Sequence, residues 1–293
     1  MMLRTFLLIV VGLAGDPEHG ELFRKWAADL AAASERLGVA RDRIVYLGED
    51  AAGEIAPAGP ATRDAIEKAF GGMAAQAAAD DLVMVVLFGH GSFDGRVAKF
   101  NVRGPDPAAA DFAPLLERLP SRHVVFVNTT SASGPFVEAL SAPGRTIITA
   151  TRSGGEQFAT LFGGYFVDAL TADSADADKN RRITLLEAFD HAKRGVAEAY
   201  EREGLLATEH PLIDDPRKAA STLALGGESA DALPADPALR ALHTERRALE
   251  RRLESLKLLK AGMDPQRYLS ELEQVATALA LKTRQIRQAE AKQ

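Results

Sequence analysis

The sequence predicts an α/β protein in which a mainly parallel β-sheet is covered by helices on both faces. Short apolar runs rich in β-branched residues alternate along the chain with longer segments whose apolar residues recur at helical spacing. This alternation is typical of strand–helix–strand units with right-handed crossovers. The short runs are mostly apolar, as expected for strands that a parallel sheet buries on both faces. The predicted fold class is therefore a three-layer α/β sandwich with a C-terminal α-helical hairpin.

The predicted elements follow one another at spacings that suit strand–helix–strand units. Short apolar runs predict strands over residues 5–13, 43–47, 82–88, 123–127 and 146–151. Amphipathic spacing predicts helices over residues 20–37, 63–78, 108–119, 157–170 and 184–203. Residues 96–102 alternate in character and are predicted to form an excursion after the third strand.

Composition and charge exclude several classes of protein. A formal net charge of −6 argues against a dedicated nucleic-acid binder, because phosphate recognition needs a concentrated basic surface. The chain contains no cysteine, which excludes disulfides, thiolate metal sites and a cysteine nucleophile. No apolar run reaches the roughly 18 residues of a membrane span. The expected partners are therefore neither nucleic acids nor membranes.

The first apolar run has two interpretations. Because Arg4 precedes it, the run resembles the n- and h-regions of a signal peptide. A buried first strand is favoured, since the run is β-branched, ends in Gly12-Leu13-Ala14-Gly15 and has no small-x-small cleavage site before Asp16. The sequence does not fix the compartment. A cytoplasmic location is favoured, and a periplasmic or secreted one applies if the true start lies upstream.

The composition changes near residue 226, where the α/β domain predicted over residues 1–225 ends. Residues 226–237 are small, polar and proline-bearing, which predicts a linker, and residues 238–293 are predicted to form the helical hairpin. Asp264 is the expected N-cap of its second helix, with Pro265 at the first helical position. The apolar stripes consist of Leu242, Leu249, Leu253 and Leu256, and of Leu269, Leu272, Leu279 and Ile286. Their coiled-coil-like spacing predicts packing on each other, on the main domain or on a partner.

Two strand ends carry the residues that point most clearly to chemistry. His90 follows the third strand in Phe88-Gly89-His90-Gly91-Ser92. Ser131 follows the fourth strand in Asn128-Thr129-Thr130-Ser131-Ala132-Ser133-Gly134. Ligands and catalytic groups of parallel sheets lie at the carboxyl ends of the strands. We therefore expect His90, Ser131 and the turn after the fifth strand to share one edge of the sheet.

From residue 5 to about residue 215, the chain resembles the caspase-like superfamily, in particular the bacterial relatives of the legumain-type (C13) peptidases. A His-Gly after one strand and a small-residue turn after the next are the arrangement of that family's catalytic dyad. Further blocks in matching order are Val10-Val11-Gly12-Leu13-Ala14-Gly15, Ile147-Ile148-Thr149-Ala150-Thr151-Arg152-Ser153-Gly154-Gly155-Glu156, Phe162-Gly163-Gly164-Tyr165-Phe166, Glu187-Ala188-Phe189 and Thr208-Glu209-His210. The last of these is expected to be structural. The resemblance implies a caspase-like sheet with His90 at the position of the general base and Ser131 at that of the cysteine.

A serine at the cysteine position favours a protein without peptidase activity. A thiol is partly ionised at neutral pH, whereas a serine hydroxyl needs a hydrogen-bonded base, usually an orienting carboxylate, and an oxyanion hole. Asp94 is the carboxylate nearest to His90 in the sequence, and Thr130 or Ser133 can take the aligned position instead of Ser131. The leading prediction is a non-catalytic pseudopeptidase that binds a peptide or protein. The alternative is a peptidase or hydrolase with Ser131 as nucleophile and His90 as general base.

Charged residues follow two other strands. Arg152 and Glu156 come after the fifth strand, in a region that helps to form the pocket for the substrate's first residue in the family. The resemblance therefore implies substrate binding by this pair, and two surface charges near a helix start are the alternative. Asp16, Glu18 and His19 follow the first strand and either face the same cleft or cap a helix.

Residues 176–187 match the EF-hand calcium loop at its main ligand positions. The candidate ligands are Asp176, Asp178, Asn180, the carbonyl of Arg182, Thr184 and Glu187. Arg181 stands where the motif needs a glycine with positive φ. The alternative is a solvated acidic loop in which Thr184 is a helix N-cap and Glu187 completes a capping box. We expect no required cofactor and weak calcium binding at most.

A third hypothesis makes the C-terminal hairpin the functional part and the large domain its platform. This hypothesis would be favoured if the apolar stripe of the hairpin were exposed rather than packed. Partners are thus expected at the carboxyl edge of the sheet and along the hairpin.

Overall fold

The computed structural model has a central six-stranded sheet and a separate two-stranded sheet. It describes residues 4–170, 172, 174–180, 182–202, 204–225 and 264–290, together with isolated positions between 238 and 253. The strands are β1 (Thr5–Val11), β2 (Ile44–Leu47), β3 (Leu82–Phe88), β4 (Gly91–Phe93), β5 (Ala98–Phe100), β6 (His123–Asn128), β7 (Arg145–Thr149) and β8 (Leu212–Asp214). The central order is β2-β1-β3-β6-β7-β8, and all neighbours are parallel except β7 and β8.

Helices cover both faces of the central sheet. They are α1 (Pro17–Arg36), α2 (Arg63–Gln76), α3 (Ala109–Glu117), α4 (Pro135–Leu140), α5 (Phe162–Ala169) and α6 (Leu185–Arg202). A further helix, α7 (Pro265–Glu290), belongs to the C-terminal part of the chain. Alternate residues of one strand enter opposite cores, because strand side chains alternate in direction. In β1, Ile9 lies in the core that contains Trp26 of α1, and Leu8 lies in the core that contains Phe70 of α2. The predicted fold class, a three-layer α/β sandwich, is confirmed.

The structure differs from the sequence predictions at several element boundaries. The first strand ends at Val11 because the chain turns at Gly12, where a Cβ would lie 2.3 Å from the carbonyl oxygen of Asn101. The excursion predicted over residues 96–102 contains β5, which pairs with β4 in an antiparallel hairpin. The helix predicted from residue 157 begins only at Phe162. The short elements α4 and β8 were not predicted.

The sheet topology brings three strand ends together. Strands β3, β6 and β7 are consecutive neighbours and run parallel. Their carboxyl ends therefore lie side by side, and His90, Ser131 and Arg152 follow them at one edge. This is the edge at which open parallel sheets bind ligands.

The chain divides into two compact units, Met1–Ser229 and Ala230–Gln293. The predicted linker, residues 226–237, lies outside the described residues, as does most of the first predicted helix of the hairpin. The second helix, α7, begins as predicted. Asp264 Oδ1 accepts hydrogen bonds from the backbone N–H groups of Gln266 (3.1 Å) and Arg267 (2.9 Å).

The stripe of α7 is only partly the predicted one. Val275 and Ile286 are buried, with exposures of 2% and 3%, whereas Leu269 is 60% exposed. Of the predicted stripe, Ile286 lies on the buried face of the helix and Leu269 lies off it. In the part of the chain that the structure describes, the helices lack the length or the apolarity needed to cross a membrane.

Candidate functional site

His90 follows β3 and the left-handed Gly89 (φ 144°), and its ring is half-buried at the carboxyl edge of the sheet. Its Nε2 atom lies 2.9 Å from the carbonyl oxygen of Ala14, in the loop after β1. Because a carbonyl oxygen can only accept, Nε2 carries the proton and Nδ1 is left as an acceptor. Burial lowers the pKa of His90, with a smaller contribution from His19, while the Ala14 carbonyl and Asp16 act in the opposite direction. The imidazole is therefore neutral at neutral pH.

The N-terminal part of α1 and its N-cap Asp16 place aromatic and acidic side chains around His90. The ring of His19 lies edge-on to that of His90, with 5.0 Å between centroids, and Phe23 lies 5.4 Å away. Asp16 caps α1, since Oδ1 accepts the His19 backbone N–H (2.9 Å) and Oδ2 lies 2.7 Å from His19 Nδ1. The structure thus places Asp16 and His19 beside His90, with Asp16 in the helix-capping role. Glu18 is exposed on the first turn of α1.

Ser131 is almost completely buried, with an exposure of 2%. Its hydroxyl donates to the carbonyl oxygen of Gly91 (3.0 Å) and accepts from the N–H of Gly91 (3.2 Å). Among the described residues, no hydrogen bond joins Ser131 to His90, although the two follow neighbouring strands. Gly91 is the reason for the close approach, because a Cβ there would lie 2.2 Å from the carbonyl oxygen of Ser131.

The other hydroxyls of the same turn are also used internally. Thr130 is fully buried, and its Oγ1 donates to the side-chain oxygen of Asn128 (2.8 Å). Ser133 is fully buried as well, and its Oγ accepts from the backbone N–H of Thr151 (3.2 Å) and pairs with Thr151 Oγ1 (3.1 Å). Neither alternative to Ser131 therefore presents a free hydroxyl at the edge of the sheet. Asp94 accepts backbone N–H groups within the β4–β5 turn.

The loop after β7 brings Arg152 and Glu156 together. Arg152 Nε lies 3.2 Å from Glu156 Oε1, and the Arg152 backbone N–H donates to Oε2 (3.1 Å). The Arg152 side chain is 65% exposed, whereas that of Glu156 is only 13% exposed. The Glu156 carboxylate also accepts from the backbone N–H (3.0 Å) and Nδ1 (2.9 Å) of His210. Of the predicted pair, Arg152 alone reaches solvent, and Glu156 binds the segment before β8.

Glu209 is a site residue whose importance sequence analysis missed. Its carboxylate is 2% exposed and accepts the backbone N–H groups of Leu161 (2.6 Å) and Phe162 (3.1 Å) at the start of α5. Burial raises the pKa of Glu209 to about 7, although both N–H groups and Tyr200 lower it. The signal in the sequence was the block Thr208-Glu209-His210, which was expected to be structural.

The predicted calcium loop combines features of both hypotheses. Carboxylate oxygens of Asp176, Asp178 and Glu187 lie within 4.8 Å of one another. Glu187 also completes the capping box of α6, since Oε2 accepts the Thr184 backbone N–H (2.9 Å) and Thr184 Oγ1 accepts that of Glu187 (3.2 Å). Asn180 donates from Nδ2 to Asp178 (2.8 Å).

The cationic residues of this loop are only partly described. The Arg182 guanidinium donates to the carbonyl oxygen of Thr222 (2.8 Å). Arg181, at the glycine position of the motif, lies outside the described residues. Desolvation and the neighbouring carboxylates of Glu187 and Asp176 raise the pKa of Asp178 to about 6. A bound cation would offset the repulsion between these carboxylates and stabilise their ionised forms.

Calcium at about 10 mM is expected to raise the melting temperature by about 3 °C, as mass action gives for a dissociation constant near 1 mM. Glu187→Gln should abolish the shift while keeping an oxygen that can accept the capping hydrogen bonds. Asp190→Asn, at an exposed carboxylate of α6 outside the loop, is the matched control and should respond as wild type does. Differential scanning fluorimetry with calcium and with magnesium measures the effect. An equal melting temperature with and without calcium would overturn the calcium hypothesis.

Among known proteins, similarity was found only to solved structures. No family model matches the chain, and no curated protein matches it. The crystal structure of protein GSU0716 from Geobacter sulfurreducens aligns with 76% of this chain and 98% of its own, at 13% sequence identity and a TM-score of 0.49. A fold alone does not determine a function, which depends on the residues at the site.

Proposed function

We propose that the chain is a non-catalytic relative of the caspase-like, legumain-type peptidases, and that it binds a peptide or protein at the carboxyl edge of its sheet. The observation that carries the proposal is the pair of hydrogen bonds between the Ser131 hydroxyl and the backbone of Gly91. A mainly parallel sheet with His90 and Ser131 after neighbouring strands is compatible with the caspase-like resemblance.

The chemistry of acyl transfer explains why this pair of hydrogen bonds matters. A serine nucleophile must be hydrogen-bonded to its base, and backbone N–H groups must be free to stabilise the oxyanion. Here the Ser131 hydroxyl donates to a carbonyl oxygen instead of an imidazole. The Gly91 N–H, which follows the histidine, is bound to the same hydroxyl. Because the hydroxyl and the N–H are hydrogen-bonded to each other, neither is available to attack a substrate carbonyl or to stabilise its oxyanion.

One observation favours the alternative function, a hydrolase. His90 is neutral, and the Ala14 carbonyl holds it in the tautomer that leaves Nδ1 free to accept a proton. This is the state that a general base requires. The alternative also requires the Ser131 hydroxyl to exchange its Gly91 partners for the imidazole, and reactivity tests it.

Labelling with a fluorophosphonate probe distinguishes the two functions. We expect wild type, Ser131→Ala and His90→Ala to remain unlabelled at probe concentrations that label a conventional serine hydrolase completely. Labelling of wild type that disappears in both variants, with unchanged circular dichroism, would overturn the pseudopeptidase proposal. The proposed binding is tested with peptides selected from a displayed library on wild type. These peptides should bind less tightly to Arg152→Glu, because Arg152 is an exposed cation at this edge.

The hypothesis that the C-terminal hairpin is the functional part receives less support. Its criterion was an exposed apolar stripe. Leu269 and Leu281 of α7 are exposed, but Val275 and Ile286 are buried. A binding role for the hairpin remains part of the proposal only as a second partner surface.

A further inference from the structure

The loop between β7 and α5 lies directly on the Ser131 turn. We call residues 152–161 the cover segment. Its backbone packs on Gly134, where a Cβ would lie 2.3 Å from both Arg152 C and Ser153 N. The Glu156 carbonyl oxygen accepts the N–H of Ala132 (2.7 Å), the residue after Ser131, which has a left-handed backbone (φ 52°). These contacts accompany the near-complete burial of Ser131.

The Glu156 side chain joins the middle of the cover segment to a distant part of the chain. Its carboxylate receives the backbone N–H and Nδ1 of His210, at 3.0 Å and 2.9 Å. His210 lies just before β8 and belongs to neither the cover segment nor the Ser131 turn. We call this Glu156–His210 pair the latch. A charge-assisted hydrogen bond of this kind is about twice as strong as a neutral one.

The far end of the cover segment is anchored separately. Thr160 Oγ1 donates to the carbonyl oxygen of Thr129 (2.5 Å), and the Glu209 carboxylate holds the N–H groups of Leu161 and Phe162. The near end is anchored by Thr151, which is fully buried at the end of β7. Between these anchors the only charged group turned inward in the described structure of residues 152–159 is Glu156.

The large apolar side chains of the cover segment contribute little to keeping it in place. Phe158 is 70% exposed and Leu161 is 40% exposed, so the large apolar side chains of the segment point outward. Gly154 is buried against the Phe93 ring, and the exposed Gly155 adds backbone freedom next to it. A segment held by a few polar contacts between rigid elements opens at a lower free energy than the core does.

We propose that the cover segment is a hinged lid over the Ser131 turn and that the Glu156–His210 latch keeps it closed. Opening would expose Ser131 and its partner Gly91 to a peptide, and closing would shield them. The inference rests on the proposed function, because it assigns regulated access to the same edge of the sheet. Partner binding at this edge is then coupled to breaking the hydrogen bonds between Glu156 and His210, which lie outside the Ser131 turn.

The absence of cysteine provides a direct test, because Ser131→Cys creates a single thiol at the covered position. Its rate of alkylation by iodoacetamide reports how often the lid opens. Ser270→Cys, on the exposed surface of α7, gives the unprotected rate. We expect Ser131→Cys to react at least about a hundredfold more slowly than Ser270→Cys, and His210→Ala in the Ser131→Cys background to speed the reaction about ten- to a hundredfold.

Two further variants keep the outcome interpretable. Glu156→Gln preserves the size of the side chain and should also speed alkylation, which covers the case in which His210→Ala unfolds. His191→Ala on α6 is the matched control and should leave the rate unchanged. Rates in both latch variants within twofold of the parent, or a parent as reactive as Ser270→Cys, would overturn the lid. The probe-labelling experiment decides the proposed function independently, since it uses the native serine.

Discussion

Gly134→Ala is expected to lower the free energy of unfolding by about 3 kcal/mol. The Cβ of an alanine would lie 2.3 Å from Arg152 C and 2.3 Å from Ser153 N. Both are backbone atoms, so no side-chain rotation can relieve the overlap, and the chain after β7 must shift. The backbone of Gly134 itself (φ −50°, ψ −43°) is one that alanine adopts freely, so the effect is one of space alone. Urea denaturation followed by circular dichroism measures it.

Gly71→Ala is the matched control for this substitution. Gly71 lies inside α2, where a Cβ would meet nothing within 4 Å. The same change there should raise the free energy of unfolding by about 0.5 to 1 kcal/mol, because alanine loses less conformational entropy than glycine in a helix. If Gly134→Ala unfolded at the same urea concentration as wild type, the close packing of residues 152 and 153 on the Ser131 turn would be disproved.

The sequence was sufficient to predict the fold class and the edge at which the site lies. Strand β3 is uniformly apolar, and β6 is apolar between His123 and Asn128. Both are followed by the small-residue turns of His90 and Ser131, so the local pattern predicts their ends. Parallel topology then places both residues at one edge. What the sequence could not give is the partner of the Ser131 hydroxyl. That contact depends on how closely two loops approach at Gly91, which is a property of the assembled sheet.

Long-range capping explains the error at the start of α5. Amphipathic spacing predicted a helix from residue 157, but residues up to 161 form the cover segment instead. The first amides of α5 bind the carboxylate of Glu209, which is 47 residues from Phe162 in the sequence. A cap supplied by a distant residue leaves no local signature, whereas the cap of α7 by Asp264 was visible in the sequence. Residues of the site that act across loops were missed for the same reason.

The buried Glu209 carboxylate should make stability depend on pH near neutrality. Its pKa is raised from 4.5 to about 7 in the folded protein, mainly by burial. The stabilising contribution of the protonated form is therefore fully present below about pH 4.5 and is lost as the pH rises through about 7. Between pH 5 and pH 8, this group alone should lower the free energy of unfolding by about 2 to 3 kcal/mol.

Comparison with Glu209→Gln isolates this contribution from those of other ionisable groups. Urea denaturation should show that wild type loses stability relative to Glu209→Gln as the pH rises from 5 to 8. Glu201→Gln, at an exposed carboxylate of α6, should show no such shift. Because Glu209 holds the start of α5 beside the anchored end of the cover segment, the same pH range should also speed alkylation of Ser131→Cys once the thiolate fraction is corrected for. A pH-independent difference between wild type and Glu209→Gln would show that the carboxylate remains ionised throughout and that the helix amides fully offset its burial.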